Sequence, residues 1–280
     1  MKIGIAMLVL ILTSSVAWGD EPVPSPSPDS GCSTTAEFVK TLSYLRSQKE
    51  FAIDEAKSRK IAEDVSQGCS GAAKRFTQVV EDLFNSGLAS WDAVKIGTEL
   101  AQRKDSEVAT FLNIFDHSFG TDALDLDLRN SVKIALSLTS EYTGDTLVAR
   151  KDFEALTQFC ISREHLDLPK PRCALFAARI THEGQTWKTG AALPFIHAFE
   201  FIRATGTDGP GLATDQALQF AENIVVAGPG SDQNFIQAYS FGTRKDGLAL
   251  GSSDAVKFAF KMVHEKTQAD GERALASQKK

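Results

Sequence analysis

The chain predicts an all-α fold of about six two-helix repeats, each of roughly 35–44 residues, and three columns of residues carry that prediction. The first is a small residue followed by another small residue four later, as in Ser58 and Ala62, Ala93 and Gly97, Ser131 and Ala135, Cys173 and Ala177, Ala217 and Ala221, and Ala255 and Ala259. The second is an aliphatic residue five positions before the first small one: Ile53, Leu88, Leu126, Leu168, Leu212 and Leu250. The third is a phenylalanine 17 to 22 positions before it: Phe38, Phe76, Phe111, Phe153, Phe195 and Phe235. Successive repeats are offset by 35, 38, 42, 44 and 38 residues. No window alternates polar and apolar residues with β-branched enrichment, so no sheet is expected.

The elements follow in chain order. Met1-Lys2, the apolar run Ile3–Leu12 and the small residues around Ala17-Trp18-Gly19 read as a secretory signal peptide over 1–19, too short in its apolar core to span a bilayer of roughly 30 Å. Its loss would move the net charge from −6 to −7, because Lys2 is its single charged residue. Residues 20–32, which hold "EPVPSPSPDSG", read as an extended Pro/Ser-rich linker. One helical-repeat domain is expected over 33–266, followed by a polar tail over 267–280.

Within each repeat, helix A carries the phenylalanine. Phe76-Val79-Val80-Leu83 shows the spacing of a single helical face. Helix starts are expected at Thr34 with Glu37, at Ser106 and at Ser231. Helix B carries the two small residues on one face, where they allow a neighbouring helix to approach closely. Ser90, Thr214 and Ser252 are its expected N-caps, and Pro171 fits a first turn. A lone pair cannot bury both apolar faces, so the pairs must stack.

This pattern resembles the α-solenoids, with periods nearest those of HEAT, armadillo and Sel1-like repeats, and the resemblance implies right-handed stacking. "GPGLATDQA", Gly209–Ala217, is similar to the Gly-x-Gly-Val-x-x-Asp turn of Sel1-like repeats, and Tyr239–Ala255 echoes it loosely. The likeness covers about a quarter of the chain and brings no catalytic residues.

Four cysteines remain after the signal segment. In an antiparallel pair the start of helix A lies beside the end of helix B, which pairs Cys32 with Cys69, and the same geometry pairs Cys160 with Cys173. No close Cys-x-x-Cys or zinc-finger spacing occurs, so neither a metal nor a cofactor is expected. The mild negative charge disfavours nucleic acid as a partner, and no stable membrane insertion is expected once the signal is cleaved.

The five histidines show no metalloprotease spacing, and no Gly-x-Ser-x-Gly elbow or phosphate loop is present. The connections Ser162–Cys173 and Thr181–Pro194 look irregular. They bring Glu164, His165, His182, Glu183 and an expectedly exposed Trp187 into one third of the chain, which is the basis for an alternative reading as an envelope-active hydrolase or lyase. The favoured reading is a secreted or periplasmic scaffold without catalysis of its own, which binds a protein or an envelope component. Its candidate contacts are Trp187 and the lysines two positions after the small residue, Lys60, Lys95, Lys133 and Lys257, where the column could meet an acidic partner.

Overall fold

A computed structural model describes residues 34–206 and 208–278, with side chains as far as Lys266. Among the described residues there are twelve α-helices and no strand. They run α1 Thr34–Ser47, α2 Glu55–Ser66, α3 Ala72–Asn85, α4 Ser90–Ala101, α5 Asp105–Phe119, α6 Leu128–Ser137, α7 Thr146–Ile161, α8 Lys170–Glu183, α9 Ala192–Arg203, α10 Thr214–Val226, α11 Ser231–Thr243 and α12 Ser252–Gln278. Each odd helix packs on the even helix that follows it, which makes six hairpins. Odd helices also pack on successive odd ones from α1 to α11, while α2 meets α4 and α8 meets both α6 and α10. The signal and linker segments lie outside the described residues. The last helix continues to Gln278, through the segment expected as a polar tail.

The three columns are the core. Phe76, Phe111, Phe153, Phe195 and Phe235 are each 0% exposed, and only Phe38 in the first hairpin stays partly open. Both small residues of every helix B are buried. A side chain there would collide: a Cβ built on Gly97 would lie 2.5 Å from Val80 Cγ2. The aliphatic column packs against the same core.

The hairpin turn repeats more closely than the sequence suggests. The residue before each aliphatic one is left-handed in all six repeats: Ala52, Gly87, Asp125, Asp167, Gly211 and Ala249. In three turns the hydrogen bonds also coincide. Asp125, Asp167 and Ala249 donate their amides to Gly120, Ser162 and Arg244, while Leu126, Leu168 and Leu250 donate to Ser118, Cys160 and Gly242. These bonds satisfy the last carbonyls of helix A and offset the roughly 1–2 kcal/mol that a left-handed non-glycine residue costs. "GTDALDL", "SREHLDL" and "RKDGLAL" are therefore one turn, and the connection after Ser162 is regular.

The disulfide between Cys160 and Cys173 is present, with Cα atoms 5.4 Å apart. It ties the end of α7 to the start of α8. Cys69 is not a free thiol; its expected partner Cys32 lies outside the described residues.

Ser90, Thr214 and Ser252, expected as N-caps, are the first helical residues, the first two after Ala89 and Ala213, while α11 starts at Ser231 as expected and α5 at Asp105, one residue before Ser106. The side-chain caps are instead Asp54, Asp127 and Asp145, which accept the amides of Lys57, Asn130 and Leu147. Pro171 stands in the first turn of α8 as expected.

Glu37 reaches forward from α1. Its carboxylate accepts the Ala73 amide at the start of α3, at 2.8 Å. Burial raises its pKa, but the Ala73 amide and Lys40 pull harder and leave it below the ordinary carboxylate value. Arg75 and Asp152 occupy the same place, one residue before the phenylalanine, and also reach the next repeat. The buried Arg75 guanidinium donates to Ala101 O, at the end of its own hairpin, at 3.1 and 3.0 Å and to Asp105, at the start of α5, at 2.7 Å, and Asp152 accepts the Ala191 amide.

Candidate functional site

Two surfaces gather the residues that could act on another molecule. The first is the outer face of the even helices, where the position two after the small residue is exposed in every repeat: Lys60, Lys95, Lys133, Leu175, Gln219 and Lys257. Helical periodicity explains this, since two residues on from a buried position lies about 200° around the helix. Lys60 pairs with Asp64 at 3.9 Å, and Lys257 with Asp254 at 3.3 Å, both within their own helices. Such exposed pairs are worth only about 0.3–0.5 kcal/mol and exchange readily for another partner. At the centre of the column Leu175 is 63% exposed. One turn further along α8, Arg179 forms a two-pronged bond with Glu222 of α10, at 3.0 and 2.6 Å. That bond fixes the spacing of two even helices beside an apolar side chain open to solvent.

The second surface is a groove between α5 and α7, lined by His117, Asp122, Glu154, Thr157, Gln158 and Lys170. The Thr157 hydroxyl donates its one proton to the Glu154 carbonyl at 2.9 Å, so its oxygen accepts from His117 Nε2 at 3.0 Å. Burial holds the imidazole below its ordinary value against the pull of Glu154, which keeps it neutral near pH 7. Among the described residues no carboxylate lies within ion-pair distance of this ring.

The residues expected between Ser162 and Pro194 do not converge. His165 precedes α8 and stacks on Phe159, with ring centroids 4.4 Å apart. His182 lies in the last turn of the same helix, edge-on to Tyr142. A 14-residue helix separates them, about 20 Å by helix rise. Glu164 and Glu183 are exposed at those two ends. Trp187 is not an exposed recognition residue: it is 8% exposed and belongs to the core, because its amide bonds Gly184 O at 2.8 Å and turns the loop inward.

Leu175 was not among the residues expected to form the site. Its signal in the sequence is an apolar residue in a column of lysines. His117 had no signal, since Thr157 is 40 residues away in sequence. Among the described residues no group of His, Cys, Asp and Glu could hold a metal ion, and no helix is long and apolar enough to cross a membrane.

No family model, curated protein or solved structure matches the chain. The assignment of function therefore rests on geometry.

Proposed function

We propose that the chain is an exported helical-repeat scaffold that binds an acidic protein or envelope component across the outer face of its even helices, without catalysis of its own. The observation that carries this reading is the six-fold exposure of one helical position, with lysines at both ends of the column and Leu175 uncovered at its centre. Charge on the flanks would speed encounter, and an apolar side chain in the middle would supply the contact that loses water on docking. Export, secreted or periplasmic, is supported by the apolar run Ile3–Leu12 ahead of the domain and by the Cys160–Cys173 disulfide.

The test is capture from an envelope extract at low and high salt. Reversal of Lys95, Lys133 and Lys257 to Glu should slow association and remove its salt dependence, since charge attraction is screened over about 8 Å at physiological ionic strength. Leu175→Asp should speed dissociation. A control with Lys104, Lys151 and Lys245 changed to Glu should bind as wild type does. Equal loss in that control would show that net charge governs capture and would overturn the role of the column.

A further inference from the structure

Each repeat covers the one before it, and three positions show what happens at the last. The residue seven after the small residue of helix B is Val65, Leu100, Leu138, Ile180 or Ile224 in the first five repeats, and none is more than 1% exposed. Its counterpart in α12, Met262, is 43% exposed. In the shared turn, Leu124 and Leu166 are 1% and 8% exposed, whereas Leu248 is 45% exposed. Six positions after the phenylalanine, Phe159 is 5% exposed and Phe201 packs against the core, but Phe241 is 45% exposed.

Asn234 points to the same gap. Its counterparts Glu37, Arg75 and Asp152 reach forward into the next repeat, but Asn234 accepts a bond from Lys266 of its own hairpin, at 2.9 Å. Among the described residues no helix packs on the far side of α11. The face is thus a stacking surface: its helix B position is apolar and buried in all five earlier repeats, and its turn and helix A positions are filled as in the repeats that bury Leu124, Leu166 and Phe159.

We propose that this face pairs with the same face of a second copy of the chain about a two-fold axis. Stacking on the opposite end is disfavoured by charge. Apart from Val39, the first hairpin presents Glu55, Arg59 and Glu63 on the side of α2 away from the second, all exposed, and Phe241 and Met262 would have to desolvate them. The rim of the last face carries Glu265 next to Lys266. A two-fold axis can set the acid of one copy against the base of the other, so the surface is complementary to itself.

Sedimentation of the full secreted chain from about 1 to 100 μM tests this, a range that brackets micromolar affinity. Wild type should pass from monomer to a closed dimer. Phe241→Glu and Met262→Glu should each weaken the dimer by about tenfold or more, with helicity and melting temperature retained, because both side chains are exposed in the single chain. Glu265→Lys and Lys266→Glu should each weaken it, and the two together should restore it. A monomer throughout, a dimer indifferent to both apolar changes, or an open ladder of oligomers would each overturn the proposal.

Discussion

The Asp152 carboxylate accepts the backbone N–H of Ala191 at 2.5 Å, so that one buried side chain of α7 holds the start of α9 across 39 residues of sequence. Gly190 makes the approach possible. Its φ is +75°, and a Cβ there would meet the Asp152 oxygens at 2.3 and 2.4 Å. A charge 6% exposed is costly to keep, and burial pushes the carboxyl up to about 6 although the Ala191 and Ala192 amides draw it down.

A pH dependence with a definite sign follows. The folded value lies above the unfolded value near 3.8, so the folded chain holds the proton more tightly. This contribution to stability is complete below about pH 4 and is lost as pH rises through about 6, by up to about 3 kcal/mol. Asp152→Asn cannot ionise and should lack that loss. Urea melts of both proteins at pH 4 and pH 7 check it: the stability of wild type relative to the variant should fall across the interval. A difference that stays constant would mean that Asp152 titrates as an ordinary carboxylate.

Arg75 joins more of the chain than any other buried polar side chain described here. Besides Ala101 O it binds Gly68 O, Ser70 O and Asp105 Oδ1. Arg75→Met should cost about 3 kcal/mol or more, because it strands buried carbonyls at the ends of two helices. Arg75→Lys should recover little, since one ammonium cannot span acceptors that the planar fork reaches together. Asp105→Asn should cost under about 1 kcal/mol, because that carboxylate is 84% exposed. Urea midpoints for the three variants give the order.

What was legible in the sequence is what burial makes periodic. The columns at Phe76, Ala93 and Leu88 recur because each repeat meets the same neighbours, so residue type and spacing recur with them. The contacts between repeats were not legible, although they occupy one column. Glu37, Arg75 and Asp152 share a position but differ in charge, and Thr110 in the same place leaves its hydroxyl without a bond. Trp187 misled because a loop carries no period, and only the Gly184 turn shows its ring to be inside. On the candidate surface the four lysines were visible in sequence, while the exposure of Leu175 needed the neighbouring helices to be placed.

The small column can be tested against its exposed neighbour on one helix. Ala135 is 0% exposed, and Lys133, two residues earlier, faces solvent. Ala135→Leu should overpack the contact between helices and cost about 1–3 kcal/mol. Lys133→Leu should change stability by less than about 0.5 kcal/mol. Thermal melts in the reverse order would place the wrong face of α6 inward.

Gly97 is the one glycine in the second small position, and Val80 explains it. Alanine at 97 would gain about 1 kcal/mol of helix propensity, but its Cβ would sit 2.5 Å from Val80 Cγ2 and 3.3 Å from both the Phe76 ring and its carbonyl oxygen. Val80 is 0% exposed and β-branched, with one strongly preferred helical rotamer, so withdrawing from the new methyl is costly. Gly97→Ala should therefore destabilise the chain by about 1–2 kcal/mol despite the better helix former. Val80→Ala alone should cost about 2 kcal/mol for the cavity it leaves. In the double variant the new methyl occupies part of that cavity, so the loss should be smaller than the two single losses together by at least about 1 kcal/mol. Strict additivity in the melts would show that α3 and α4 do not meet through this pair.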